Sequence, residues 1–486
     1  MNRLDIIFKL FLTLCCCLTT SFVSAGPGIV LTGDYPDPTI VKVDGVYYMT
    51  HSSLLYYPGL LIWKSTDLQT WTPVTHAVFE NQGYLIAPDI IYHKNKFYIY
   101  YPAKGGNYVV TADKIEGPWT KPHLIDIPGI DPGHIVDEKG NRYLHMSGGK
   151  VGSLTADGLS VVNNELKKIY DGWTIPDDWL VECHCLESPK LIFKDGYYHM
   201  FSAQGGTAGP ATSHMVVHAR SKSATGTWEN SPINPVVHTY HRNEPWWSKG
   251  HGTVFQAPDE TWWMVYHGYD RDNRALGRHT LFEPVEWTSD GWLKVVSPTQ
   301  NERHQMKESV SLERSDNFSG NKLGIQWQFW NAYEPDRVKL QNNSLHLQGK
   351  GKNVGGSSPL AVNPGHSRYE VSVDVEIVGE AQAGLILFHN DNQYVGTATD
   401  GKQLFAGERG ALRPAGNSNN KIVNLRILNN FNNVQFYIDG KKVYNGIEIS
   451  GYAHHNFDGN LSLRPAIFCM GEGSAIFRNF RYTPII

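Results

Sequence analysis

Three carboxylates and a histidine recur at one phase of an internal repeat. The five copies begin Asp37-Pro-Thr-Ile-Val-Lys, Ala87-Pro-Asp-Ile-Ile-Tyr, Asp131-Pro-Gly-His-Ile-Val, Glu187-Ser-Pro-Lys-Leu-Ile and His251-Gly-Thr-Val-Phe-Gln. If the copies are equivalent in space, Asp37, Asp131, Glu187 and His251 converge on one place, with Ala87 completing the ring. Carboxylates held together in a partly buried site cost free energy, so three at one phase call for a purpose. Two carboxyl groups facing across a gap can cleave a glycosidic bond. One protonates the leaving oxygen, and the other activates water or attacks the sugar directly. The acid must stay protonated near neutral pH although an isolated Glu titrates at about 4.3, and a third carboxylate nearby raises that value. Two plainer roles compete: acids that cap strand entries and bind water, or oxygen ligands clustered around calcium.

The elements that must position these groups follow from the same repeat. Each copy reads as a short apolar strand, a tight turn, and a strand rich in β-branched and aromatic residues. The turns fall at Asp44-Gly45, Lys94-Asn95, Lys139-Gly140, Asp195-Gly196 and Asp259-Glu260. The stretches between copies leave room for two further strands each. Three of them close alike, on Leu68-Gln-Thr-Trp71, Glu116-Gly-Pro-Trp119 and Thr225-Gly-Thr-Trp228. These tryptophans recur where no chemistry is needed and read as packing. Four-stranded units repeated five times predict an all-β, five-bladed β-propeller over 26–300, whose radial repetition protects the strand edges. The first strand of each blade then lines a central channel, and the repeat-phase residues meet at one mouth of it.

Tyr35-Pro-Asp37-Pro, Ile130-Asp131-Pro and Glu187-Ser-Pro-Lys, in that order around a five-fold repeat, closely resemble glycoside hydrolase family 43. So do Gly250-His251-Gly and Leu276-Gly-Arg278 before Pro284-Val-Glu-Trp287, and the resemblance spans Gly33 to Val296. It implies an inverting mechanism with Asp37 as general base and Glu187 as general acid. Asp131 matches the residue that orients the acid and raises its pKa. His251 matches the family's axial histidine, a substrate-site residue associated with water or a metal ion in the channel, with a purely hydrogen-bonded role as the alternative. Arg278 matches an arginine that contacts the innermost sugar, against the plainer reading of a surface salt bridge. The resemblance requires no cofactor and allows a calcium ion in the channel. Glu182 lies off the repeat phase and is set aside as the acid. Ser188 departs from the Gly usual after the acid.

Length and composition frame these readings. A chain of 486 residues exceeds one ordinary domain. The 43 Lys+Arg against 47 Asp+Glu leave a net charge of −4, which is no footprint for nucleic acid. Aromatic residues make up 12% of the chain, which suits strands and also suits stacking on sugar faces. Residues 1–25 read as a signal peptide. Arg3 and Lys9 precede an apolar run from Leu10 to Leu18, and Val23-Ser24-Ala25 follows. The run is too short to span a bilayer, so the protein is expected to be periplasmic or secreted. Cys15, Cys16 and Cys17 in the leader keep lipoprotein anchoring open. After cleavage Cys183, Cys185 and Cys469 remain. Cys183-His184-Cys185 lacks companion ligands for zinc and reads as two small apolar thiols on a buried strand.

The segment 301–314 is polar and charged and reads as a linker. Beyond it, 315–486 carries new alternating segments such as Tyr369-Glu-Val-Ser-Val-Asp-Val and Val434-Gln-Phe-Tyr-Ile, which predict a β-sandwich. Asp316-Asn-Phe-Ser and Leu323-Gly-Ile-Gln-Trp327 resemble the concanavalin A-like, jelly-roll domain of family 43 β-xylosidases. In that group the sandwich narrows the propeller pocket, which implies exo-action; direct sugar binding by the sandwich is the alternative. The expected partner is an oligosaccharide or polysaccharide, from which a terminal β-D-xylosyl or α-L-arabinofuranosyl group is released. Galactofuranosides or galactans, and a non-catalytic carbohydrate-binding propeller, are the other readings, with a calcium-stabilised structural module as a third. Tyr56, Tyr57, Trp63, Trp246 and Trp247 are candidate walls around the sugar.

Overall fold

The structure is a computed structural model that describes residues 28–296, 312–456 and 461–485. The leader and most of the segment read as a linker lie outside them. Five antiparallel sheets surround one axis. Blade one comprises Thr39–Val43, Val46–Thr50, Gly59–Ser65 and Thr72–Val78, and blade two Asp89–His93, Lys96–Ala103, Gly106–Ala112 and His123–Ile125. Blade three runs Gly133–Val136, Arg142–Met146, Lys150–Ser153 and Lys167–Lys168. Blade four is built on Glu187–Lys194, Tyr197–Gln204 and Met215–Ser221, and blade five on Trp246–Gln256, Trp262–Asp270 and Arg278–Trp287. The chain enters on Gly28–Leu31, which pairs with the start of Arg278–Trp287, while Leu293–Val295 pairs with its end. Residues from both ends of the propeller thus share the outer edge of blade five and close the ring.

The innermost hairpins form where the backbone demands of the turn meet residues that tolerate them. Asp44 and Gly45, Lys94 and Asn95, and Asp195 and Gly196 all have positive φ at both turn positions. That is the type I′ geometry whose twist matches the flanking strands. Trp71 and Trp228 are buried, and Trp119 packs half-buried against the core of blade two. The three are packing, as their recurrence implies.

The C-terminal unit is a sandwich of two antiparallel sheets, one seven-stranded and one eight-stranded. Its core lies between them. Val371, Val373 and Val375 alternate inward from Arg368–Val378 and meet Leu385 and Leu387 from the facing sheet. The eighth strand of the larger sheet is Tyr56–Tyr57, a loop segment of blade one that pairs with Phe329 and Trp330. A second apolar cluster, including Leu54, Tyr56, Trp330, Phe388 and Phe468, cements the outer face of this sheet to the propeller. The two units are joined by a continued sheet as well as by packing. Among the described residues no helix is long and apolar enough to cross a membrane.

Candidate active site

Four of the repeat-phase residues and one neighbour share an unusual backbone. Asp37, Ala87, Asp131, Ser188 and His251 have φ of 58°, 40°, 57°, 52° and 59°, a left-handed conformation uncommon for residues with a Cβ. In every blade the regular ladder starts two residues later, at Thr39, Asp89, Gly133, Lys190 and Thr253. Blade four therefore corrects the sequence reading. Ser188 holds the repeat phase, and Glu187 stands one residue before it. A register shift between Glu187 and Lys190 kinks the strand entry and carries the carboxyl to the pocket all the same.

Asp37, Asp131, Glu187, His251 and Arg278 line one cavity of about 220 Å³, together with Ile86, Ala87, Ile130, Glu182, Cys185, Thr207 and His454. Asp37 is 6% exposed and Asp131 3%. Arg278 Nη1 lies 3.3 Å from Asp37 Oδ1, and the ring nitrogens Nδ1 of His267 and His251 lie 3.2 and 3.4 Å from the same oxygen. Ser52 Oγ donates to Asp37 Oδ2 and accepts the Ala87 N–H at 2.6 Å, so one hydroxyl ties blades one and two together at the site. His251 Nδ1 is also 3.9 Å from Asp131 Oδ2.

These surroundings drive the carboxyl groups apart in protonation. Burial alone would raise Asp37, but Arg278, with His251 and His267, holds it well below the usual carboxylate range. The permanent partner is Arg278. His267 accepts the Asp37 backbone N–H on Nδ1 and is lowered by burial, and burial pushes His251 down to about 3. Burial and the neighbouring Asp131 and Asp37 push Glu187 well above its ordinary value. Burial and Asp37 push Asp131 up as well, opposed by Lys190, the Ser188 N–H and Arg278. One carboxylate is held ionised and two are held toward the protonated form.

The sandwich supplies His454, which sequence reasoning missed. Its Nδ1 lies 2.8 Å from the Tyr269 hydroxyl, and burial lowers it to about 3, so a neutral imidazole from the second domain forms part of the cavity wall. No local signal points to it, because its position depends on how the domains dock. Arg278 is buried, not a surface ion pair, and its Nε has no hydrogen-bond partner among the described residues. Glu182 shares the cavity, with Oε2 held by the Ala208 N–H at 2.8 Å.

The expected aromatic walls are elsewhere. Tyr56, Tyr57, Trp63 and Trp246 are buried in domain cores, where their large apolar areas stabilise the fold. Trp247 is half-buried, with its indole N–H on the Arg242 carbonyl and Arg274 over its ring. Ile86 and Ile130 provide the apolar wall instead. Cys183 and Cys185 are likewise not buried strand thiols. They lie half-buried in the loop before blade four and are joined as a disulfide, with Cys185 on the cavity wall. A larger groove of about 720 Å³ runs past Val30, Leu68 and Trp263. Its carboxylates, Asp67 and Asp259, are engaged by N–H groups of their own turns, so it carries no comparable chemistry.

Calcium takes about six to eight oxygen ligands. At His251 the unpartnered donor is one imidazole nitrogen, Nε2. Among the described residues no group of three or more His, Cys, Asp or Glu side chains is arranged to hold an ion. The residues present do not fit a calcium site built from protein ligands.

Residues 28–293 match the profile of the glycosyl hydrolases family 43, and 315–413 that of the β-xylosidase C-terminal concanavalin A-like domain. The non-reducing end α-L-arabinofuranosidase BoGH43B of Bacteroides ovatus is 29% identical over 417 residues, covering 75% of this chain and 74% of that protein. A xylan 1,3-β-xylosidase from a Vibrio species is 29% identical over 308 residues, 54% of this chain and 56% of its own length. This chain thus spans just over half of the latter relative. The crystal structure of the GH43 protein BlXynB from Bacillus licheniformis superposes with a TM-score of 0.83 at 25% identity, covering 95% of this chain and all of that one. With more than half of its length matched to the catalytic profile and the same two-domain architecture, the chain belongs to family 43 of the glycosyl hydrolases.

Proposed function

We propose that this glycoside hydrolase is inverting and exo-acting, and that it releases a terminal β-D-xylosyl or α-L-arabinofuranosyl group. The observation that carries the reading is one cavity that brings Asp37, paired with Arg278, together with Asp131 and Glu187. Arg278 favours the ionised form of Asp37, and burial with Asp131 beside it favours the protonated form of Glu187. In the reaction Asp37 takes a proton from water as the water oxygen attacks the anomeric carbon. Glu187 gives its proton to the glycosidic oxygen as the bond to carbon breaks. A negative charge on Asp131 adds to burial in disfavouring the ionised form of Glu187. Arg278 holds Asp37 in place from the cavity wall.

The small size of the cavity, with His454 of the sandwich in its wall, supports exo-action, since an internal chain segment needs an open cleft on both sides. The relatives named above, an arabinofuranosidase and a xylosidase, support a pentose. The apolar run at Leu10–Leu18 with Ala25 supports action outside the cytoplasm, which fractionation of the producing cells checks.

Proton NMR of the first-formed sugar tests the mechanism. The anomer is expected to be inverted; a retained anomer would require a nucleophilic carboxylate and a closer acid pair, near ~5 Å. Nitrophenyl β-D-xyloside, α-L-arabinofuranoside and galactofuranoside test the sugar. Preference for the galactofuranoside would overturn the pentose assignment while leaving the mechanism standing.

A further inference from the structure

Two residues beyond the repeat phase, the equivalent positions of the five blades are Thr39, Asp89, Gly133, Lys190 and Thr253. They form a second ring across the channel that the hydrolytic steps do not use. Lys190 Nζ donates to the carbonyl oxygen of Pro88 at 2.9 Å, to that of Pro132 at 3.0 Å, and to Asp89 Oδ1 at 3.1 Å. Asp89 Oδ1 also accepts from Thr39 Oγ1 at 3.1 Å, and its Oδ2 accepts the His134 N–H at 2.8 Å. The Lys190 and Asp89 side chains are 3% and 9% exposed. Nearly all of this network is dry, and every proton of the ammonium has an acceptor.

The acceptors are informative. Pro88 and Pro132 directly follow Ala87 and Asp131, and Thr253 Oγ1 bonds the carbonyl of Pro38, which follows Asp37. A lysine on blade four therefore grips the peptide units that aim the catalytic layer on blades two and three. A coordinated metal ion would serve a propeller channel in the same two ways: it ties neighbouring strands together and sets a positive charge beside the acids. The donor set at His251 does not suit such an ion, and Lys190 already supplies both services.

We propose that Lys190 is a positioning residue of the hydrolytic site, its ammonium acting as the built-in cation of the channel that fixes Asp131 against Glu187, so that hydrolysis needs no metal ion there. The proposal rests on the hydrolytic roles given above to Asp37, Asp131 and Glu187. It is consistent with the opposition of Lys190 to the upward shift of Asp131. A bare methylene stem would loosen that carboxyl and favour its protonated form.

The test uses the full chain. Activity on a nitrophenyl glycoside is expected to survive exhaustive EDTA treatment and dialysis within about twofold. Large loss restored by added calcium would overturn the proposal and leave the hydrolase assignment intact. Lys190→Met, with folding checked by circular dichroism, is expected to lower kcat by about tenfold or more, since small misplacements near the reacting groups are costly. Its KM should change little, and the alkaline limb of its pH profile should move up by about half a unit, because lost positive charge favours protonated carboxyls. A folded variant with the parental kcat and profile would refute the role. Where Lys190→Met does not fold, Lys190→Met combined with Asp89→Asn removes both buried charges, and the parental kcat in that variant would refute it equally. Absence of any glycoside hydrolysis by the parent rejects the underlying function and this role with it.

Discussion

Asp37 and Glu187 carry the same functional group under opposite demands, and the protein meets both with a few neighbours. Arg278 stabilises a negative charge on Asp37, while burial beside Asp131 disfavours one on Glu187. Replacing Asp37 by Asn keeps the shape and removes the proposed base. Hydrolysis of every substrate is expected to fall by about 100- to 10,000-fold, with binding of the sugar retained; unchanged rates would take Asp37 out of the mechanism. Glu187→Gln should be selective instead, because dinitrophenyl leaving groups need no proton whereas sugar alcohols do. Steady-state rates on both classes check this, and a uniform loss across leaving groups would contradict the acid role. The same burial has a thermodynamic side. Unfolded, Glu187 releases its proton above about 4.3; folded, it holds the proton to higher pH. Stability is therefore lost as pH rises above the unfolded value, until the folded value is passed. Glu187→Gln escapes this penalty and is expected to melt above the parent at about pH 8, with the gap closing near about pH 4. Melting scans at the two pH values decide it.

At the scale of strands, the parts legible in the sequence are those with a local cause. Turn pairs such as Asp44-Gly45 and Asp195-Gly196 name the left-handed positions that a tight hairpin needs, and alternation names the faces. The convergence of Asp37, Asp131 and His251 follows from their shared phase. Glu187 does not, because Ser188 takes the left-handed repeat position of blade four and leaves Glu187 one residue before it, and it is the match of Glu187-Ser-Pro-Lys to a known family that marks it. Asp89 and Lys190 stand at a common phase that the sequence displays, yet a lone charge on a strand gives no sign of burial. Tyr56, Trp63 and Trp246 mislead for the converse reason: an aromatic ring stacks on a sugar or fills a core with the same composition. Gly133 tests how tightly adjacent blades constrain the site. A Cβ there would come within 1.6 Å of the Pro189 carbonyl oxygen, forcing apart the strands that carry Asp131 and Glu187. Gly133→Ala should cost about 1–3 kcal/mol through overpacking and reduce kcat far more than it alters KM. Chemical denaturation and kinetics measure the two effects, and a fully active variant would show that the blades can yield without disturbing the acids.

Across the whole molecule, the sandwich reaches the reacting groups by a second route besides His454. Arg464 and Asp34 are buried to 2% and 1% side-chain exposure and meet across the domain boundary at 3.5 Å. Asp34 also accepts the Arg278 backbone N–H on Oδ1 at 3.1 Å, and its own backbone is held at both ends by the Asn363 side chain. Arg464 further donates to Gln328 and lies 3.9 Å over the ring of Tyr56. The chain of contacts thus runs from the sandwich through Asp34 to Arg278, and from there to Asp37. Arg464→Met preserves much of the apolar stem but strands Asp34 as a buried charge, a loss typically worth about 3–5 kcal/mol. The melting temperature is expected to drop by several degrees. Groups in one hydrogen-bonded network couple by about 0.5–3 kcal/mol, so KM should rise at least about twofold as Arg278 loses its backing, even though the substitution touches neither sugar nor water. Calorimetry and steady-state kinetics on the one variant separate the outcomes. Lower stability with unchanged KM would make the contact a domain clasp alone, whereas parental values of both would mean that the two domains meet at Asp34 without either depending on the other.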